Sequence, residues 1–400
     1  MLRPGTFALT ALLAAMSAIG PLTTDMYLPS LPDIARQLDA TAAQAQLTIS
    51  AYLIGFAVGQ IVYGPVSDRH GRKPVLLVAI GLYCFASLAC ALSTSIEMLI
   101  AARFAQALGG CGGIVLTRAI VRDLHVGARA GRELSMIASV MALAPVLAPV
   151  IGGVLQTGFG WRSIFVTLVL AGSIGVAIIW LLLPETMNRR AAEPVSFASI
   201  VRSYRALASH RAYLAYLGIT SASYAGLFAW ISGTSFVLQN LYRLTPFNFG
   251  VAFALSSVGY MTGSAIAARL VVRVGLDRVL GLGGVACAAG GLAMVAAVAL
   301  GLTSAFSLVL PMAVYLAGLG MVLPQGIAGA LTPFPERAGA ASSLFGFVQQ
   351  TVAALCGAGV GLLLGESAWP VAGAVAAMGC ATLLLWLSTR AVRAKAISAG

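Results

Sequence analysis

Two charged residues, Asp25 and Arg103, stand out because each lies inside a long apolar stretch of the sequence. If these stretches cross a membrane, the charges are costly there and indicate a proton or substrate pathway. Burial disfavours the ionised form of a carboxyl group, so Asp25 could bind and release a proton near neutral pH. We predict that Asp25 and Arg103 carry proton coupling. Two structural alternatives stay open: Asp25 could cap a helix broken between Pro21 and Pro29, and Arg103 could extend to the membrane surface.

The composition explains why these charges matter. Of 400 residues, 60% are hydrophobic and only 9% are charged, and the mean hydropathy is +0.95. The apolar residues form runs of about 20, the length at which a helix crosses about 30 Å of hydrocarbon. A formal charge of +12 could indicate a nucleic-acid partner. The basic residues instead lie in short loops between the runs, so we predict a lipid environment and no nucleic-acid partner.

The runs predict an all-α membrane protein with twelve transmembrane helices in two pseudo-symmetric bundles of six. The predicted spans are 7–28, 47–66, 75–93, 98–117, 134–156, 163–183, 212–233, 249–271, 279–300, 306–331, 341–364 and 370–388. The predicted domains are therefore a first bundle at 1–184, a central loop at 185–211 and a second bundle at 212–400. Loops on the side of the termini carry most of the Arg and Lys, which places both termini and the central loop in the cytoplasm.

The second bundle also repeats the first at a constant offset of 204 residues. Matched pairs include Gly55 with Gly259, Gly59 with Gly263, Arg69 with Arg273, and Gly71 with Gly275. Agreement of loop and helix positions in one register indicates duplication rather than chance matching of glycines. Two related halves with a binding site at their interface are one standard plan for a transporter.

Other side chains could line a substrate pocket or shape a helix. Aromatic and amide side chains within the spans form a candidate set for binding an amphipathic molecule, although each one alone is explained by packing: Tyr27, Tyr52, Gln60, Tyr224, Phe228, Trp230, Tyr260, Gln325, Phe347 and Gln350. In the fifth span, Pro145 and Pro149 remove backbone donors, whereas Gly152 and Gly153 allow close approach of another helix. We predict that this helix is bent, packs at the interface between the halves and seals it against proton leak.

Several classes of site are missing from the sequence. All six cysteines lie in apolar runs without a CxxC pair, and the three histidines lie in predicted loops, so we predict no metal site. The sequence contains no GxxxxGK(S/T) nucleotide loop, and it lacks the HExxH and GxSxG motifs of hydrolases. We therefore predict that the protein is not an enzyme and needs no cofactor, its energy coming from the proton gradient.

Three short motifs carry a family resemblance. The loop GPVSDRHGRKP, from Gly64 to Pro74, resembles the signature GxxxDRxGRR/K of the major facilitator superfamily. The segment RFAQALGG from Arg103 resembles the RxxQGxG element of drug:proton antiporters, and APVIGG from Ala148 resembles their GPxxGG motif. The segments TDMYLP from Thr24, RAIVRDL from Arg118, WRSIF from Trp161 and LPET from Leu183 resemble the bicyclomycin and chloramphenicol resistance branch.

The resemblance implies that the loop and a neighbouring segment act as a cytoplasmic gate. The implied gating residues are Gly64, Asp68, Arg69, Gly71, Arg72, Arg118, Arg122 and Asp123. Asp68, Arg72 and Asp123 would form a charge cluster that holds the halves together when the cavity faces outward. The second half has Val272 in the place of Asp68, so this gate should be asymmetric.

These observations predict proton-coupled export of drug-like molecules by alternating access, with small molecules, protons and lipid as partners, in a monomer of the bacterial inner membrane. The alternative is a proton-coupled importer of a sugar or other nutrient, because topology alone does not distinguish the two directions. The fifth span, rich in Pro and Gly, favours the exporter.

Overall fold

The computed structural model describes residues 6–125, 127–187, 197–334, 338–365 and 367–398. The chain divides into two compact units, Met1–Val195 and Ser196–Gly400. Twelve helical segments in the described part are long and apolar enough to cross a membrane, and they match the twelve predicted spans one to one. The predicted fold class is confirmed.

The described residues of the first unit form eight α-helices. They are α1 (Phe7–Asp25), α2 (Leu31–Gln37), α3 (Ala42–His70), α4 (Arg72–Ala91), α5 (Ile96–Leu124), α6 (Gly127–Met141), α7 (Ala144–Phe159) and α8 (Arg162–Leu182). The first span comprises α1, a 3₁₀ turn at Leu28–Ser30 and α2, and the fifth comprises α6 and α7. The fifth span is interrupted just before Pro145, where proline cannot continue a helix without losing a backbone hydrogen bond. Its predicted bend stays a prediction.

Eight α-helices also lie within the described part of the second unit. They are α9 (Phe197–Ala208), α10 (Arg211–Phe236), α11 (Pro246–Val274), α12 (Leu276–Ala299), α13 (Phe306–Leu331), α14 (Ala338–Leu363), α15 (Trp369–Ser388) and α16 (Arg390–Ser398). A π-helical turn at Val237–Leu241 extends α10. Residues 188–196 of the predicted central loop lie outside the described residues, and the loop's last part forms α9.

The repeat extends to the start and end of the second span in each unit. Thr41 caps α3 by accepting from the backbone N–H of Gln44, and Thr245 caps α11 in the same way. Gly71 ends α3 with φ of 101°, and Gly275 ends α11 with φ of 82°. Since positive φ strains residues that have a Cβ, the glycines are required for the tight turn into α4 and α12.

Glycines also set the helix pairing inside each unit. A Cβ added to Gly55 would meet the backbone of Phe104, which brings α3 close to α5. A Cβ added to Gly259 would meet the backbone of Ala313, which brings α11 close to α13. Lipid provides no hydrophobic driving force for helix association, so small residues at such crossings stabilise the pair by allowing the two backbones to pack closely.

Candidate functional site

Asp25 lies where the first span is interrupted. It is the last residue of α1, and 5% of its surface is exposed. The chain then passes through the 3₁₀ turn at Leu28–Ser30 before α2 begins, with Pro29 and Pro32 in these two elements. An interrupted helix leaves backbone groups without intrahelical partners, and polar or charged groups are expected to collect there.

Arg103 lies on α5 with none of its surface exposed. Its Nη1 donates to Gln106 Oε1 at 2.7 Å and to the Thr23 backbone oxygen at 3.4 Å, so it contacts the last turn of α1. Its Nε and Nη2 have no hydrogen-bond partner among the described residues. The alternative that Arg103 extends to the membrane surface is wrong, because the whole side chain is enclosed within the first unit.

Three aromatic rings surround the Arg103 guanidinium. The distances from its central carbon to the ring centroids are 4.3 Å for Tyr52, 4.5 Å for Tyr27 and 5.9 Å for Phe165. A cation within about 6 Å of an aromatic face is attracted by the ring's quadrupole, more strongly when water is absent. Tyr27 and Tyr52, which were predicted to bind substrate, are therefore buried against Arg103, with 0% and 2% of their respective surfaces exposed.

A polar network holds this site together across three helices. Gln106 Nε2 donates to Ser87 Oγ at 2.8 Å, which joins α5 to α4. Tyr83 on α4 shares a 2.6 Å hydrogen bond with Thr23 on α1, and the Thr23 hydroxyl also donates to Ile19. Sequence reasoning missed these hydroxyl side chains, since Ser, Thr and Tyr are common in membrane helices and bear no charge.

Asp25 and Arg103 are not paired with each other. The described residues contain four ion pairs, and neither Asp25 nor Arg103 takes part in one. The Arg103 charge is instead balanced by aromatic faces and by the Gln106 and Thr23 oxygens. A buried cation without a carboxylate partner is unusual, because desolvation of a charge is normally offset by an opposite charge.

The turn that follows Asp25 is fixed to α7. A Cβ added to Gly152 would collide with the Met26 backbone, so α7 meets this turn without an intervening side chain. One turn further on, Gln156 accepts from Ser30 Oγ at 2.7 Å and donates to Asp33 Oδ2 at 2.8 Å. This close approach of the GPxxGG-like segment is made within the first unit. Its predicted packing between the halves stays a prediction.

The predicted charge cluster exists at the junction of α3, α4 and α5. Arg72 Nη1 donates to Asp68 Oδ1 at 2.5 Å and to Ser67 Oγ at 2.6 Å, and Arg72 Nε donates to Asp123 Oδ2 at 2.9 Å. The structure thus brings together the three side chains named from the motif. The predicted gating function of the cluster stays a prediction.

Glu185, which sequence reasoning did not assign to a site, belongs to the same junction. Its carboxylate accepts from the backbone N–H groups of Arg72 at 3.0 Å and Lys73 at 3.2 Å, at the beginning of α4. An acidic group stabilises a helix N-terminus by charge and by hydrogen bonding. A Cβ added to Gly71 would lie 2.6 Å from Glu185 Oε2, so the carboxylate would have to shift.

A model of the Major Facilitator Superfamily matches residues 13–357. The chain belongs to the Major Facilitator Superfamily. It is 36% identical over 348 residues, 85% of either chain, to the "Uncharacterized MFS-type transporter YdgK" of Bacillus subtilis. It is 30% identical to the "Bicyclomycin resistance protein homolog" of Haemophilus influenzae, covering 92% of either chain. The bicyclomycin and chloramphenicol resistance branch inferred from the motifs is confirmed.

Solved structures agree on the fold. A peptide transporter in complex with sulfate superposes with a TM-score of 0.80 at 14% identity, covering 99% of this chain and 97% of the other. The xylose transporter XylE from E. coli gives 0.75 at 14% identity, covering 96% and 97%. Together with the bacterial relatives, the twelve spans make this facilitator a multi-pass protein of the bacterial inner membrane.

The other predicted substrate residues are distributed over both units of this facilitator. Gln60 is half-buried on α3 in the first unit. The second unit holds Tyr224, Phe228 and Trp230 on α10, Tyr260 on α11, Gln325 on α13, and Phe347 and Gln350 on α14. The Tyr224 and Phe228 rings lie 5.0 Å apart, and Trp230 is fully buried. Their shared role in substrate binding stays a prediction.

The remaining gating candidates do not join the Arg72 cluster. Arg69, Arg118 and Arg122 are exposed, and Gly64 is half-buried with space around it. On α7, Pro145 is half-buried in the first turn, whereas Pro149 and Gly153 are buried. The sequence motifs therefore include residues that the structure separates into a charge cluster, an exposed basic surface and a helix contact.

Proposed function

We propose that this facilitator exports drugs or other small amphipathic molecules across the inner membrane in exchange for protons, by alternating access. The observation that carries the proposal is Asp25, a buried carboxyl group at the break of the first span, in the helix whose Thr23 backbone oxygen accepts from the buried cation Arg103. Buried ionisable groups of this kind characterise proton relays in membrane transporters. Relatives named for resistance to bicyclomycin, chloramphenicol and multiple drugs support export as the direction.

The proton gradient supplies enough energy for this task. One proton that moves inward through 100 mV releases about 2.3 kcal/mol. Since about 1.4 kcal/mol corresponds to a tenfold ratio, this sustains about a fiftyfold gradient of a neutral solute. We propose that the transporter needs no other cofactor and acts as a monomer with both termini and the central loop in the cytoplasm.

In the proposed cycle, protonation of Asp25 from the outside competes with substrate and favours its release. Deprotonation toward the cytoplasm makes the site available to the next substrate molecule. The Arg72 cluster, with Asp68 and Asp123, would stabilise the state that faces outward. Each step uses a side chain of the first unit whose charge either changes or is compensated within that unit.

The decisive experiment measures substrate-induced proton release from everted membrane vesicles. The vesicles would contain the natural chain, Asp25→Asn or the control Asp39→Asn. Asp39 is exposed and has a φ of 48°, a conformation that asparagine adopts readily, so the control should behave like the natural chain. We expect release in both of these and none in Asp25→Asn. Unchanged release in Asp25→Asn would refute Asp25 as the proton carrier, and substrate uptake together with protons would establish the importer instead.

A further inference from the structure

The second unit has an exposed pair of arginines at the junction of α12 and α16. Arg278 lies in the first turn of α12, and Arg390 is the first residue of α16. Both side chains are exposed, and neither takes part in an ion pair or a hydrogen bond with the residues that the structure describes. Unpaired cations at the ends of membrane-spanning helices can bind an anion from outside the protein.

A buried ion pair brings these two arginines to the same place. Arg393 on α16 is fully buried and donates from Nε to Asp277 Oδ1 on α12 at 2.7 Å. Arg278 directly follows Asp277, and Arg390 lies just under one helical turn before Arg393. The ion pair therefore fixes the start of α16 against the start of α12, with both exposed arginines at the junction.

The protein does not neutralise the two exposed charges. Asp277 is the only acidic residue in the described part of the second unit, and its carboxylate already binds Arg393. At the positions 204 residues earlier, the first unit has Pro74 and Thr186. Since the first unit forms the same helix start without arginines there, the fold does not require Arg278 or Arg390.

An exposed apolar face of α12 begins at Arg278. Leu282, Val285 and Leu292 follow Arg278 at helical spacing, and each of the three side chains is about half exposed. Because α12 is one of the membrane spans, this face contacts lipid acyl chains. Arg278 lies at the end of the face, where a long basic side chain reaches the lipid headgroups.

The neighbouring helix α15 extends this apolar face. Its side chains Leu384 and Leu387 are exposed. A Cβ added to Gly281 on α12 would meet the ring of Trp386 on α15, so the two helices touch at this level. Leu282 and Leu387 directly follow these two contact residues. The exposed side chains of α12 and α15 therefore adjoin beside the arginine pair.

We propose that Arg278 and Arg390 bind the phosphate headgroup of an anionic phospholipid whose acyl chains lie on the adjoining faces of α12 and α15. Arginine suits this role, because its planar guanidinium can donate two parallel hydrogen bonds to phosphate oxygens. A zwitterionic lipid binds less well, since the junction has no free acid for the positive group of its headgroup. The site is present whether the facilitator exports or imports its substrate.

The test titrates the purified full chain in detergent with phosphatidylglycerol, which is anionic, and separately with phosphatidylcholine, which is zwitterionic. Native mass spectrometry measures the fraction of protein that retains lipid. Each arginine beside an anionic headgroup raises the affinity about fivefold, so Arg278→Gln combined with Arg390→Gln should weaken the binding of phosphatidylglycerol about 25-fold. The natural chain should bind phosphatidylglycerol more tightly than phosphatidylcholine.

The matched control is Arg202→Gln combined with Arg205→Gln. It also removes two exposed arginines of the second unit, but from α9, which packs on α10 and α14. We expect no loss of affinity in this control. An equal loss in the two double variants would show only a diffuse positive surface and would overturn the site, as would equal affinity of the natural chain for the two lipids.

Two further measurements separate charge from folding and lipid from a soluble phosphate ester. Arg278→Lys combined with Arg390→Lys keeps both charges and should retain most of the affinity for phosphatidylglycerol. A lysine pair that binds as weakly as the glutamine pair would refute a role of charge. Glycerophosphoglycerol, the same headgroup without acyl chains, should not displace the lipid. Displacement at equal concentration would assign the arginines to a soluble phosphate ester and reject the lipid site.

Discussion

The contact between Gly152 on α7 and Met26 gives the sharpest test of how the Asp25 segment is held. A Cβ at position 152 would lie 2.8 Å from the Met26 carbonyl carbon and 2.9 Å from its Cα. Ordinary carbon contacts are about 3.5 to 4.0 Å. Gly152→Ala must therefore move α7 or the turn after Asp25 by about 1 Å.

The energetic cost follows from this displacement. Overpacking by one methyl group in a tightly packed interior costs about 1 to 3 kcal/mol. The shift also stretches the two hydrogen bonds that Gln156 makes one turn away, each worth about 1 kcal/mol. We expect Gly152→Ala to destabilise the protein by about 2 to 4 kcal/mol and to reduce export strongly.

The same helix provides a matched control. Gly158 has nothing within 4 Å of an added Cβ, so Gly158→Ala should be neutral or slightly stabilising through helix propensity. Thermal unfolding in detergent and drug export from cells would compare Gly152→Ala, Gly158→Ala and the natural chain. If Gly152→Ala unfolds and exports like Gly158→Ala, the close contact does not exist and the reasoning is refuted.

Two further predictions concern the charged junctions. Arg72→Gln should lose the charge-assisted hydrogen bonds to Asp68 and Asp123, which are together worth about 2 to 4 kcal/mol. The variant should therefore unfold at a lower temperature and export more slowly. An unchanged unfolding temperature would contradict this prediction. Arg393→Asp should destabilise the second unit by about 3 kcal/mol, because it places a second carboxylate beside Asp277 in a buried site. Adding Asp277→Arg restores opposite charges, so thermal unfolding of the double variant should show part of the lost stability recovered. No recovery in the double variant would show that the two charges do not interact.

Hydropathy alone gave the number and order of the spans, because every span must be long and apolar. It misjudged the ends of several spans. The first span was predicted to end at residue 28, but its helical path continues to Gln37. The polar side chains of Asp33, Arg36 and Gln37 concealed this extension, and they are satisfied by hydrogen bonds with one another and with α7.

Only the charged residues of the candidate site could be predicted from the sequence, because charges are rare within apolar runs. Asp25 and Arg103 could be identified because a charge within an apolar run requires an explanation. The hydrogen-bond network through Thr23 and Tyr83 could not be predicted, since it depends on which faces of α1 and α4 meet. For the same reason, the sequence shows Tyr52 as an aromatic residue in a span but not that its ring lies on Arg103.

The 204-residue repeat shows which residues the two halves share and which are specific to one half. The positions that correspond to Asp25 and Arg103 are Ala229 and Ser307.

Tyr27 and Tyr52, whose rings lie on Arg103, correspond to Ile231 and Ser256. Duplication thus preserved caps, turns and glycine crossings, while every residue of the proposed coupling site remained specific to the first half.

At the junction that begins the third span of each half, even the charges are reversed. Lys73 in the first half corresponds to Asp277 in the second. Glu185 accepts from the start of α4, whereas Arg393 donates to Asp277 at the start of α12 with an Nε to Oδ1 distance of 2.7 Å. The backbone that the two halves share therefore needs a polar contact at the start of this helix, but the contact does not need a particular sign of charge. Chemistry that depends on sign, such as proton binding by a buried carboxyl group, can be confined to one half without loss of the fold.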